Sequence, residues 1–198
     1  MADRLLRAHR TLLLVPIVDV NGVSYLLGGT QTASIIAPLS APTAAVLNTW
    51  VGVNDNSLSI SGVGGNISCA VLDNVDIGLS DSDTDDEQTV CSQADESDPT
   101  FYNVDASITF QRDESLTASN VRNLAWNLLK GKGVRYAIID RAWGEYTSTD
   151  LFVAGQKIDI YEIDTDNLLN ETEDQATIKG TQNSVPTGVV LVNGTVAA

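Results

Sequence analysis

The sequence predicts a mainly β chain with one principal α-helix, on three observations. Residues 101–112 (FYNVDASITFQR) alternate, with Val104, Ala106, Ile108 and Phe110 on one side and Asn103, Asp105, Ser107, Thr109 and Gln111 on the other. That is the period of a strand with one face in a core and one in water. The period then changes, and Val121, Leu124, Ala125, Leu128 and Leu129 recur at helical spacing before Gly131. Elsewhere short runs rich in Val, Ile and Leu are separated by Gly, Asn and Pro turns, with no internal repeat. The 198 residues suit a single domain, 1–198, large enough to bury a sizeable core.

In chain order, residues 1–10 are expected to form an N-terminal arm. Arg4, Arg7 and Arg10 ahead of an apolar stretch loosely mimic a secretory leader, but no small-residue cleavage site follows and the run passes directly into a strand. Residues 11–20 read as that strand, Asn21-Gly22 as a tight turn, and 23–27 as its return. The stretch 28–50, with Pro38 and Pro42, is expected to be an ordered loop holding a short strand or helical turn. Residues 51–60 and 66–76 read as strands about the Gly62-Val63-Gly64-Gly65 turn. The second would place Ile67, Cys69, Val71 and Val75 on one face and Ser68 on the other.

A long acidic loop, 77–100, leads to the strand at 101–112; most hairpin loops are far shorter, and loops of this length are usually functional or mobile. The helix is expected to start from an N-cap at Thr117 or Ser119 and to stop at Gly131 or Gly133, with Lys130 and Lys132 suiting its negative end. Residues 134–140 and 151–161 frame a second hairpin, with Trp143 and Tyr146 packed at its tip. Residues 165–198 form a C-terminal segment with short closing strands at 176–180 and 188–192.

Charge narrows the function. Eleven Lys and Arg stand against 26 Asp and Glu, a formal net charge of −15. Gripping nucleic acid needs cations that displace counterions from phosphate, so that role is excluded. The charges are also segregated. No Lys or Arg falls between Arg10 and Arg112, ten acids fall between Asp73 and Asp98, and then come Arg112, Arg122, Lys130, Lys132, Arg135 and Arg141. Either this is a solvated loop beside an ordinary helix surface, or the acidic loop of one copy meets the basic surface of another.

Cys69 and Cys91 lie outside any CxxC or His-rich context, which argues against structural zinc. Two buried thiols are the expected state and a disulfide the alternative. No stretch is long enough to span a bilayer as a helix.

Catalytic signatures are missing. His9 is the sole histidine and no G-x-S-x-G elbow accompanies it. The carboxylates lie in adjacent clusters rather than singly on apolar strands, and the Gly62 turn lacks the Lys-Ser/Thr of a phosphate loop. Asp81, Asp83 and Asp85 spell the D-x-D-x-D that opens some calcium loops, yet an EF-hand would carry Gly at Asp86 and Glu at Ser92. A solvated acidic loop is therefore favoured, with a small calcium- or carbohydrate-binding β-sandwich module as the alternative. The sequons at Asn66, Asn170 and Asn193 carry no weight without a secretory signal. Neither enzymatic activity nor a cofactor is expected.

The order of parts (ISCAVLDNVD, the DSDTDDEQTV loop, NVDASITFQRD, SNVRNLAWNLLKGKGVRYAIIDRAW and LFVAGQKIDIYEID) resembles the major tail proteins, or tail tube proteins, of long-tailed bacteriophages. The resemblance covers about residues 66–164. It implies a β-sandwich or barrel-like fold with a flanking helix, and hexameric rings whose strands join into an inner barrel. The stacked rings would conduct DNA, with tape-measure, tail-tip and tail-terminator proteins as further partners. It implies a place in the virion tail, assembly in the host cytoplasm and no membrane insertion.

A conduit should repel phosphate, which fits an acidic, lysine-poor polar face. On this basis Ser68, Asp105, Ser107 and Thr109 are expected to line the lumen. Asp81, Asp83, Asp85, Asp86 and Glu87, together with Arg112, Arg122, Lys130, Lys132 and Arg135, are expected at contacts between subunits.

Overall fold

Leu12, Leu13, Leu14 and Val15 show no polar alternation because their strand is buried on both faces. The computed structural model describes residues 10–28, 36–58, 64–72, 75–79, 84–87, 96–99, 104–115, 117–141, 146–171 and 178–198. Strand β1 (Thr11–Val20) returns as β2 (Val23–Leu27) through Asn21 and Gly22, whose φ values of 53° and 79° give the left-handed turn that matches strand twist. After β3 (Ile36–Pro38) comes α1 (Ala44–Val51), then β4 (Gly65–Asn66), β5 (Asp76–Leu79), β6 (Thr84–Glu87) and β7 (Glu96–Pro99). The chain continues with β8 (Val104–Gln111), α2 (Val121–Leu129), β9 (Arg135–Arg141), β10 (Lys157–Glu171) and β11 (Lys179–Thr195).

Nine strands form one antiparallel sheet in the order β3-β2-β1-β9-β10-β11-β8-β5, with β4 beside β1, while β6 and β7 pair as a separate ribbon. The long β10–β11 pair turns this sheet back on itself. Its first half sits beside β9, through Asp159 to Asp164, and its far half sits beside β8, through Lys179 to Ser184. Three register shifts along β10 and β11 supply the bend, as bulges do where strands pass between the layers of a sandwich.

The curl creates two cores on opposite faces of β1, β9 and β10. Leu12, Leu14, Tyr136, Ile138, Tyr161 and Ile163 meet β8 and α2 on one side. Leu13, Val15, Ala137, Ile139, Ile158 and Ile160 meet α1 on the other. Helix α2 contributes Leu124, Leu128 and Leu129 to the first core, and each fully buried leucine contributes about 2 kcal/mol. Helix α1 contributes Val46, Leu47 and Trp50, and the Trp50 indole N–H donates to the Leu27 carbonyl at 2.6 Å.

The first hairpin, the β8 core face and α2 agree with the sequence expectations, and β9 pairs with β10 as a hairpin, though β10 begins at Lys157 rather than 151. Strand β5 pairs antiparallel with β8 from Asp76–Leu79, mostly inside the span expected as loop. Other expectations are corrected. Residues 28–50 hold the expected short strand, β3, but the helical turn is a full eight-residue helix, Ala44–Val51, in addition to the principal helix α2. Residues 66–76 are not one strand: β4 ends at Asn66, a turn occupies 68–70, and β5 begins at Asp76.

Residues 51–58 end α1 and form a turn rather than a strand. Helix α2 is capped by Asn120, not Thr117 or Ser119. The Asn120 side chain accepts from the Asn123 N–H, while Asn123 itself donates to the Ser115 and Ala118 carbonyls. The closing strands are one 17-residue strand, β11, because both β10 and β8 hydrogen-bond along it. Residues 1–9, Cys91 and Trp143 lie outside the described residues.

Candidate functional site

Strand β8 places its core side chains against α2 and turns polar side chains to the opposite face, which opens to water at the Asp105 end. On that face Asp105 is exposed, Ser107 is half-buried and Thr109 is buried, with 8% of its surface exposed. Hydrogen bonds across to β11 order the row: the Ser107 hydroxyl donates to Asn183 Oδ1 at 3.1 Å, and the Thr109 and Thr181 hydroxyls are 3.0 Å apart. Register adds Asp76 opposite Ser107, and Gly78 opposite Asp105, which leaves the Asp105 carboxylate open to water. Lys179 stands opposite Gln111 at the end of the row. The face is therefore hydroxyl- and carboxylate-rich, with a single lysine among these positions.

Ser68 is not part of this row. It lies in the turn after β4, where its hydroxyl accepts from the Leu12 N–H at 2.8 Å and donates to Asn66 Oδ1 at 2.6 Å, stitching that turn to β1. The same turn overturns the expected burial of Cys69. Ile67 and Ala70 point into the core, and Cys69 is exposed with its sulfur 3.5 Å from the Ser148 hydroxyl.

The basic residues expected between subunits divide into two groups. Arg112 stacks over the Trp126 ring at 3.9 Å, and Lys132 pairs with Asp166 at 2.8 Å, drawing the Asp166 carboxyl below its usual range through that hydrogen bond. Arg135 reaches Asp164 at 3.1 Å, Asp19 at 3.2 Å and Glu162 at 3.7 Å; the hydrogen bond to Asp164 is the main cause of its raised pKa. These three already hold partners within the chain. Arg122 and Lys130 are exposed, Lys130 donating to Asn127 Oδ1 on its own helix at 2.9 Å.

Of the acidic group, Asp85, Asp86 and Glu87 fall on β6, in register with Asp98, Ser97 and Glu96 of β7. Asp81 and Asp83 lie outside the described residues.

Sequence reasoning missed two charged anchors. Arg10 grips Asp140 with two hydrogen bonds, Nε to Oδ1 at 2.9 Å and a terminal nitrogen to Oδ2 at 2.5 Å. Arg141 is fully buried. Its guanidinium donates to Thr11 Oγ1 and to the carbonyls of Thr147, Asp150 and Leu151, and it lies over the Phe152 ring at 4.2 Å. Burial lowers its pKa, opposed by the charge of Asp150. The only sequence signal was an arginine closing an apolar strand, which surface arginines share.

No curated protein matches the chain. The family model described as phage tail tube protein matches residues 21–198, which takes in both helices, both long strands and the polar face of β8. The chain therefore belongs to the phage tail tube protein family, as a structural component of the virion tail.

Proposed function

We propose that this chain acts as one tail-tube unit, assembling into hexameric rings that stack into a tube with the polar face of β5, β8 and β11 toward the lumen. The observation that carries this is the two-sidedness of β8: Val104, Ala106, Ile108 and Phe110 are buried in the core with α2, while Asp105, Ser107 and Thr109 form a polar row on the other face, exposed at Asp105, half-buried at Ser107 and buried at Thr109. A ring of such sheets would present carboxylates and hydroxyls to passing DNA, and the net charge of −15 adds repulsion rather than grip.

In this arrangement the edge strands β3 and β5 are paired by neighbouring copies, which removes the open edges of the sheet. The β6–β7 ribbon, which sets Asp85 opposite Asp98 and Glu87 opposite Glu96, is a contact that gains from basic residues of another subunit such as Arg122 and Lys130. Ser68, held in a turn, is left out of the lumen row. Tape-measure, tail-tip and terminator proteins are the further partners of such a tube, which assembles in the host cytoplasm without membrane insertion, cofactor or catalysis.

Negative-stain electron microscopy of the concentrated protein, alone and with its tail initiator, is the test. Six-fold rings or tubes with a central channel are expected. A protein that stays monomeric with the initiator present would sink the proposal.

A further inference from the structure

Two apolar surface features stand at opposite ends of the β1–β9 pair, about 17 Å apart by strand rise from Thr11 to Pro16. At the end where Thr11 faces Arg141, Leu151 and Val153 are each 60% exposed on a tightly held loop. Arg141 donates to the carbonyls of Thr147, Asp150 and Leu151, and the Asn48 side chain bonds both the N–H and the carbonyl of Phe152, at 2.6 and 3.0 Å. The loop is thus ordered before any partner arrives, so a contact through it loses little conformational freedom.

At the other end, the C-terminus of α2 and the start of β9 leave a groove of about 250 Å³ lined by Pro16, Leu128, Val134 and Tyr136. Lys130 and Arg135 stand on its rim. The exposed cross-strand pair Val20 and Val23 lies at this same end. The two ends match in chemistry, since Leu151 and Val153 stand out from the loop beside Asp150, while Pro16, Leu128 and Val134 line the groove with the exposed Lys130 at its edge.

We propose that the Leu151 and Val153 loop of one copy seats in the Pro16 and Val134 groove of a second copy, joining successive rings end to end. The inference rests on the stacked-ring reading. A knob and a groove at opposite ends of one subunit make a heterologous contact that leaves a free knob at one end of the series and a free groove at the other, so growth continues. If the sheet edges serve lateral neighbours within a ring, the strand ends remain for the rings above and below.

The test places Leu151→Cys and Val134→Cys in one chain that also carries Cys69→Ser and Cys91→Ser, assembles it, and oxidises it. A ladder of disulfide-linked multimers is expected on a non-reducing gel, with none from either single-cysteine chain. In parallel, Leu151→Asp with Val153→Asp should keep the wild-type circular dichroism and ring formation but shorten tubes, because ring-to-ring association weakens at least about tenfold for a contact loss of roughly 1.4 kcal/mol or more per junction. Assembled double-cysteine tubes without a ladder, or aspartate tubes of wild-type length, overturn this contact alone. A wild-type chain that forms neither rings nor tubes overturns the stacked-ring reading and this contact with it.

Discussion

Arg141→Ala should destabilise the unassembled chain by about 4 kcal/mol. The side chain is fully buried between β1, β9 and the 147–152 loop, and it supplies Thr11 Oγ1 and three backbone carbonyls with donors. Withdrawing a donor from a part-buried acceptor costs about 1 kcal/mol net, which gives about 4 for the four acceptors. Loss of the guanidinium over Phe152 at 4.2 Å and Tyr146 at 5.0 Å adds about 1, while water entering the loosened loop and the relief of burying a charge return a similar amount.

That loss is a large share of the roughly 5–15 kcal/mol typical of a domain. Arg141→Met, which keeps the packing volume but none of the donors, should cost as much, about 4 kcal/mol, on the same count. Urea unfolding followed by circular dichroism, at a concentration shown by sedimentation to be monomeric, reads both values. A double-mutant cycle with Thr11→Val should give a coupling of about 1 kcal/mol. If both Arg141 variants lose less than about 1 kcal/mol, the guanidinium is not the organiser of this loop and the count of acceptors is wrong.

Alkaline pH should weaken the fold through two tyrosines. Burial raises the hydroxyls of Tyr136 and Tyr161 from 10.0 to about 12, so the folded chain holds these protons longer than the unfolded one. Their contribution is whole below pH 10 and is lost as the pH climbs towards 12; at pH 11 each has lost about 1.4 kcal/mol. Urea midpoints at pH 9 and 11 should differ accordingly, and Tyr136→Phe should remove its own part of that difference.

Gly64→Ala should cost about 2 kcal/mol, because its Cβ would stand 2.7 Å from Trp50 and from Pro16 Cδ and 2.9 Å from the Leu14 carbonyl oxygen. A thermal midpoint equal to wild type would show that α1 shifts freely on β1. Asp105→Lys should leave folding and tube formation intact, since the side chain is exposed, while slowing DNA ejection in a phage carrying it; equal ejection rates would count against the lumen assignment of the β8 face.

The parts legible from sequence were those where one local rule acts alone. The Asn21-Gly22 hairpin follows from backbone preference, the β8 face from strict alternation, and α2 from a single apolar stripe ending in a glycine-rich stop. Where two rules overlapped, the pattern misled. Helix α1 is eight residues in a Pro- and Ser-containing stretch, too short to be stable unaided, and it exists because Val46, Leu47 and Trp50 pack on β1. Residues 66–76 alternate like a strand, yet the turn at 68–70 satisfies Ile67 and Ala70 in the core at the expense of Cys69. Nor does local order show that Lys132 and Arg135 meet Asp166 and Asp164 on β10, a strand some thirty residues on.

By itself the sequence determined the mainly β character, the two-faced β8 strand, the acidic balance and the family resemblance, all of which reside in local order and composition. Only the tertiary structure decided that β1, β9 and β10 are covered on both faces, that β10 and β11 bend the sheet back on itself, and that Arg141 holds a loop from inside. Those outcomes depend on which distant segments meet, a matter of packing and hydrogen-bond satisfaction over the whole chain that no local period encodes.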